Sequence, residues 1–280
     1  MSMIKLQYRD HFLLSQLIRL AEIKNIKRTV FLSFFFFSFS AIANLKMAII
    51  DTGFCKQHRI SPRFKIKAFL DATKEVGEIE CDKDSIKLSR FHGENVLKVI
   101  TENTVLENSI DLYLISVFDK NGNQELKFWQ SALEYINQNK IDLVFSAVGI
   151  PVPKNSIPPV FPKNSFWVVS AARISPGIKS DDVVFPQSAS KEKNLVLVGD
   201  YYEGFKLDYG LLNRKDIKVF ESDYQKTISP NPHFQGTSFS AAYFYSKFLS
   251  KCGQNNEMTR FASCFYDHLK KINSDIIVFE

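Results

Sequence analysis

No two cysteines of this chain stand in a C-x-x-C pair, and no cluster of histidines accompanies them. The sequence therefore lacks the usual signature of a zinc site, and no metal is expected. Runs of clustered acids are also missing, so no calcium site can be placed. The apolar run at 29–43 is fifteen residues long, short of the roughly 20 that a membrane-spanning helix needs. No internal repeat occurs, and that run is the only low-complexity tract. Charge of one sign is scarce once the beginning of the chain is set aside. Six of the 36 Lys/Arg and two of the 30 Asp/Glu fall within residues 1–43, leaving 30 bases against 28 acids. So balanced a body offers no basic footprint for nucleic acid.

What is present is enough apolar material for one large core. Of 280 residues, 45% are hydrophobic, so residues 44–280 need not be split into two domains. Residues 29–43 read TVFLSFFFFSFSAIA and follow Lys24, Lys27 and Arg28. A basic region, a short apolar run and small residues at Ala41 and Ala43 describe a secretory signal, so export to the periplasm or the medium is expected. Membrane attachment would follow only if that leader were retained. The competing reading is a buried Phe-rich strand or helix. Ahead of it, Leu13, Leu14, Leu17, Ile18 and Ala21 fall at helical spacing. In an exported chain the four cysteines, Cys55, Cys81, Cys252 and Cys264, suggest two bridges with three possible connectivities. The local pairing of Cys55 with Cys81 and Cys252 with Cys264 is the simplest, and free buried thiols are the alternative.

Continuous apolar runs at 45–50, 112–118, 143–147, 166–171 and 195–198 read as strands covered on both faces. Between the second and third, residues 124–139 place Phe128, Ala132, Leu133 and Ile136 on one helical face. Strand, helix, strand in that rhythm predicts an α/β fold with a mostly parallel sheet and crossover helices. Two further helices are expected at 238–249 and 258–272.

Three short motifs sit at the ends of predicted elements. Ile50-Asp51-Thr52-Gly53 closes the first strand, where working groups of open α/β sheets collect. Alone it also fits an aspartic peptidase's acid or a merely solvated strand end. His92-Gly93-Glu94-Asn95-Val96 opens a helical stretch, and a surface histidine at a helix start would look the same. Gly236-Thr237-Ser238-Phe239-Ser240-Ala241-Ala242 leads into another helix. There a serine has backbone N–H groups around it that suit an oxyanion, although a plain N-cap reads identically. Taken together, an acid, a histidine and a serine are what nucleophilic acyl transfer needs.

These motifs in this order resemble the subtilisin-like serine peptidases, or subtilases, which share the chain order Asp, His, Ser. The family has H-G-T-H-V where this chain has HGENV, and G-T-S-M-A/S-x-P where it has GTSFSAA. Ser146-Ala147-Val148-Gly149 is similar to the family segment ending in S-L-G, whose backbone pairs with substrate. The likeness spans residues 45–250. It implies a three-layer fold with a twisted sheet, and an endopeptidase in which Ser238 attacks, His92 moves the proton and Asp51 orients His92. It implies a peptide or protein substrate and no required cofactor, with structural calcium as a family habit. Most members of that family carry an inhibitory folding domain ahead of the first strand; with cleavage after Ala43, this chain is expected to fold without one or with a partner encoded elsewhere.

One departure stands out. The family's A-A-G-N supplies an oxyanion donor from its Asn, but this chain has Ala171-Ala172-Arg173-Ile174 there. Arg173 is the candidate replacement donor, or the wall of a pocket for an acidic side chain. If it does neither, turnover drops, since removing such a donor costs about 10²–10³. A pseudo-peptidase that keeps the fold and binds a partner is the alternative.

Overall fold

The computed structural model describes residues 44–58, 60–75, 80–81, 91–153, 156–171, 183–189, 192–200, 219–222, 236–254, 258–271 and 277–279. The chain divides after Ala43, and the leader expected over 1–43 lies outside the described residues.

Strand β1, Leu45–Asp51, is buried throughout except at Lys46. Successive side chains of a strand point to opposite faces. Met47 and Ile49 accordingly join one core, and Ala48 and Ile50 another. Each core is capped by helices. β2 (Phe64–Asp71) is followed by α1 (His92–Asn103) and β3 (Ile110–Ser116). Next come α2 (Leu126–Asn139), β4 (Leu143–Ser146), β5 (Ile150–Val152), β6 (Phe166–Ser170), β7 (Val183–Phe185), β8 (Leu195–Asp200) and β9 (Val219–Ser222). The C-terminal part adds α3 (Thr237–Cys252), α4 (Met258–Asp267), β10 (Leu269–Lys271) and β11 (Ile277–Phe279).

Seven strands form one sheet in the order β2-β3-β1-β4-β6-β8-β9, every neighbouring pair parallel. The core shared with α1, α3 and α4 covers one face, and the core shared with α2 covers the other. This is the three-layer α/β architecture expected from the apolar runs. From β1 the chain goes to β2 and β3 on one side and then to β4 on the other. The strand order thus reverses beside β1, which places a crevice at its carboxyl end.

Helix α3 is apolar on nearly every side, as a helix enclosed by its neighbours must be. It lies against α1 and across β6 and β8. Phe248 stacks on Phe166 at 5.4 Å and meets Phe261 at 6.3 Å, while Tyr245 faces Phe145 at 5.2 Å. Each such fully buried aromatic contributes about 1.5–3 kcal/mol through apolar burial, which fixes the direction in which the N-terminus of α3 points.

Three features differ from the sequence reading. The helix expected over 258–272 ends at Asp267, because residues 269–271 pair antiparallel with β11. A sheet partner overrides local helical preference there. β2 was not foreseen: it is an edge strand with Lys65 and Lys67 exposed rather than an unbroken apolar run, and charge along an edge blocks unwanted pairing. β5 and β7 form a small separate antiparallel ribbon.

Candidate active site

Four adjacent strands end on a buried polar residue: Ser116 of β3, Asp51 of β1, Ser146 of β4 and Ser170 of β6. Asp51 is opposite Ser116, and Ile50 is opposite Ser146. Burying polar atoms costs free energy unless they are bonded, and two of these serines are bonded locally. Ser146 Oγ donates to the Val148 carbonyl at 2.9 Å, and Ser170 Oγ donates to the Ala147 carbonyl at 3.2 Å. The 146–149 segment is thereby held in shape from below. Gln124 Nε2 holds it from outside by donating to the Gly149 carbonyl at 3.2 Å, and Trp129 Nε1 fixes Gln124 at 2.8 Å. Beside it opens a cleft of about 940 Å³ lined by Gln124, Leu126, Ile150, Pro151 and Pro153.

Asp51 is fully buried. Its Oδ1 accepts from the Thr52 N–H at 2.7 Å and from His92 Nδ1 at 2.7 Å. His92, the first residue of α1, keeps 26% of its side chain exposed. Burial depresses its pKa, but the charge of Asp51 and the hydrogen bond to it outweigh burial, so the net shift is upward from 6.5. Asp51 therefore stabilises the imidazolium and fixes the Nδ1–H tautomer, leaving the Nε2 lone pair unprotonated in the neutral ring. Its partner is an imidazole and not a second carboxylate, unlike the aspartic-peptidase alternative.

The geometry depends on a close approach at Gly93. Its N–H donates to Thr52 Oγ1 at 3.0 Å, which caps α1 from the end of β1. A β-carbon on Gly93 would lie 2.9 Å from Asp51 Cβ, 3.0 Å from Phe54 Cζ and 3.1 Å from the Gly53 carbonyl oxygen. Alanine gains helix propensity of about 1 kcal/mol, yet overpacking at rigid neighbours costs about 1–3 kcal/mol. Gly93→Ala is expected to push Asp51 from His92 and lower kcat/KM by about 10²-fold. It should also lower the urea midpoint slightly. Wild-type kcat/KM in this variant would show that the close approach does not matter.

Glu94 and His58 were missed as a pair by sequence reasoning. Glu94 Oε2 accepts from the Cys55 N–H at 3.0 Å and from His58 Nδ1 at 3.0 Å, and both side chains are largely buried. With the Thr52–Gly93 bond they tie the loop after Asp51 to the first turn of α1. An acidic residue in a helix's first turn was the available signal.

Ser238 is the second residue of α3. Gly236 before it has φ +111° and ψ 169°, a conformation that essentially only glycine adopts. The N–H groups of Phe239 and Ser240 bond to the Gly236 carbonyl at 3.1 and 3.2 Å. Those of Thr237 and Ser238 have no acceptor among the described residues, and N–H groups at a helix start suit an anion. Phe239 meets the His92 ring at 5.2 Å, which brings the start of α3 beside the dyad. The Ser238 hydroxyl itself donates to the Ala147 carbonyl at 3.2 Å, and no hydrogen bond joins it to His92. Asp51, His92, Ser238 and the 146–149 segment thus converge, with the serine resting on Ala147.

Arg173, the candidate oxyanion donor, lies outside the described residues. The disulfides are Cys55–Cys81 and Cys252–Cys264. Among the described residues the grouped metal donors are Cys252, Cys264 and His268. Sulfur and nitrogen donors do not suit calcium, which takes oxygen ligands.

No family model matches the chain, and no curated protein matches it. Among solved structures it is similar to the prenylagaramide maturation protease PagA, at 10% identity and a TM-score of 0.51, over 82% of this chain and 84% of that one. At that identity the likeness establishes a shared fold.

Proposed function

We propose that this chain is an exported serine endopeptidase that cleaves peptide bonds through Ser238, His92 and Asp51. The observation that carries the reading is the hydrogen bond of 2.7 Å between the fully buried Asp51 and the partly exposed His92, beside a serine at a helix N-terminus whose N–H has no acceptor among the described residues. The resemblance in the motifs and the fold shared with a protease support it.

In the resting state the Ser238 hydroxyl is held by the Ala147 carbonyl. A substrate N–H that pairs with that carbonyl releases the hydroxyl to rotate toward His92. His92 Nε2 then takes the proton while Oγ attacks the peptide carbonyl. Asp51 stabilises the resulting imidazolium. The Ser238 N–H and the positive end of α3 receive the oxyanion, with Arg173 as the second donor. His92 returns the proton to the leaving amine, and water then hydrolyses the acyl-enzyme by the same route reversed. Residues preceding the cut lie along the 146–149 segment and the adjacent cleft. The reaction requires no cofactor, nucleic acid is not a partner, and a membrane is one only if the leader is retained.

The resting position of Ser238 on Ala147 favours a second reading, a pseudo-peptidase that binds peptides without cutting them. A fluorophosphonate probe separates the two. Covalent labelling of the wild-type chain, absent from Ser238→Ala, is the expected result. A wild-type chain that never labels, while binding peptide, supports the second reading instead.

A further inference from the structure

α3 ends at Cys252, and α4 brings Cys264 and, four residues later, His268 up against it. One donor atom from each of the three lies within 4.8 Å of the other two. Cys264 Sγ is 3.8 Å from His268 Nδ1. In a tetrahedral zinc site, Zn–S near 2.3 Å and Zn–N near 2.0 Å put neighbouring S and N atoms about 3.6 Å apart. That edge of a zinc tetrahedron is therefore nearly preset. The S–S edge, about 3.8 Å in such a site, is available once the disulfide opens.

We propose that the dithiol form of Cys252 and Cys264, reached only where a dithiol reductant opens the bridge that export otherwise preserves, binds one Zn²⁺ together with His268. A dithiol reductant supplies the two electrons: the Cys252–Cys264 bond breaks, two thiols form, and the reductant closes to its own disulfide. Zn²⁺ then displaces the two thiol protons, and His268 contributes an imidazole lone pair. This ring now donates Nδ1–H to the Cys264 carbonyl at 2.9 Å. On metal binding the ring proton resides on Nε2 and that bond is given up. Two thiolates cancel the charge of the ion. The complex thus suits the fully buried position of Cys252, where a bare thiolate would be costly. Three protein ligands leave the fourth position to water. The spacing C-x₁₁-C-x₃-H does not announce such a site. The packing of α3 on α4 creates it, and the disulfide and the metal are alternative ties between the same two helices.

The test is cobalt titration of the full chain, reduced and freed of reductant without oxygen. The expected result is one tetrahedral Co²⁺ per chain, with a thiolate charge-transfer band that Zn²⁺ abolishes. His268→Ala keeps the disulfide and so can be prepared folded before reduction. It should bind at least about tenfold more weakly. A Cys252→Ser/Cys264→Ser chain should show no band. The proposal is overturned if the reduced wild type shows no band, if that double variant retains it, or if His268→Ala binds as tightly as wild type.

Discussion

Ser238→Ala is expected to lower kcat by about 10⁶-fold, the order seen when a triad nucleophile is removed, with little change in stability. The two effects separate because of where Ser238 stands. It is half-buried at the second position of α3, where alanine is a good helix former. The hydroxyl makes one hydrogen bond, to the Ala147 carbonyl, whose net worth is about 1 kcal/mol. Ala147 keeps its second donor, Ser170 Oγ. Turnover of a peptide substrate and the urea midpoint, measured on the same preparation, check the prediction. A variant that keeps activity while its midpoint stays put would remove Ser238 from the chemistry. Residual rate above water should persist, because the N–H groups at the start of α3 are untouched.

Asp51→Asn should cost about 10⁴-fold in kcat and should also move the acid limb of the pH profile. In the wild-type chain His92 must be neutral to accept the Ser238 proton, and its pKa lies above 6.5. Activity therefore rises as pH climbs through that raised value. Stability runs the other way: the Asp51–His92⁺ contribution is fully present below 6.5 and is lost as pH rises through the folded-state pKa. Asn removes the charge and the carboxylate acceptor but leaves the burial, which alone depresses the imidazole. The acid limb of the variant should therefore shift to lower pH even as the rate collapses. Asn also permits the wrong tautomer, which accounts for the loss of rate. An unmoved limb would mean that Asp51 does not set the His92 pKa.

The strands were legible because parallel strands covered on both faces are apolar along most of their length, as β1, β3, β4, β6 and β8 are. β2 was not, since an edge strand alternates lysine with apolar residues. Asp51, His92 and Ser238 were legible as candidates because each closes or opens a local element. The Glu94–His58 pair was hidden: its partners are 36 residues apart and neither belongs to a recognisable spacing.

From the sequence alone came the α/β class and the strand ends and helix starts that carry the three candidate residues. Only the tertiary structure decided which polar groups meet. Asp51 reaches His92 across 41 residues, and Ser238 reaches Ala147 across 91. It likewise joined Cys252, Cys264 and His268 into one cluster. Local periodicity records which face of an element is apolar. Contacts at such separations follow instead from strand order, register and the angle at which α3 is clamped by its aromatic neighbours.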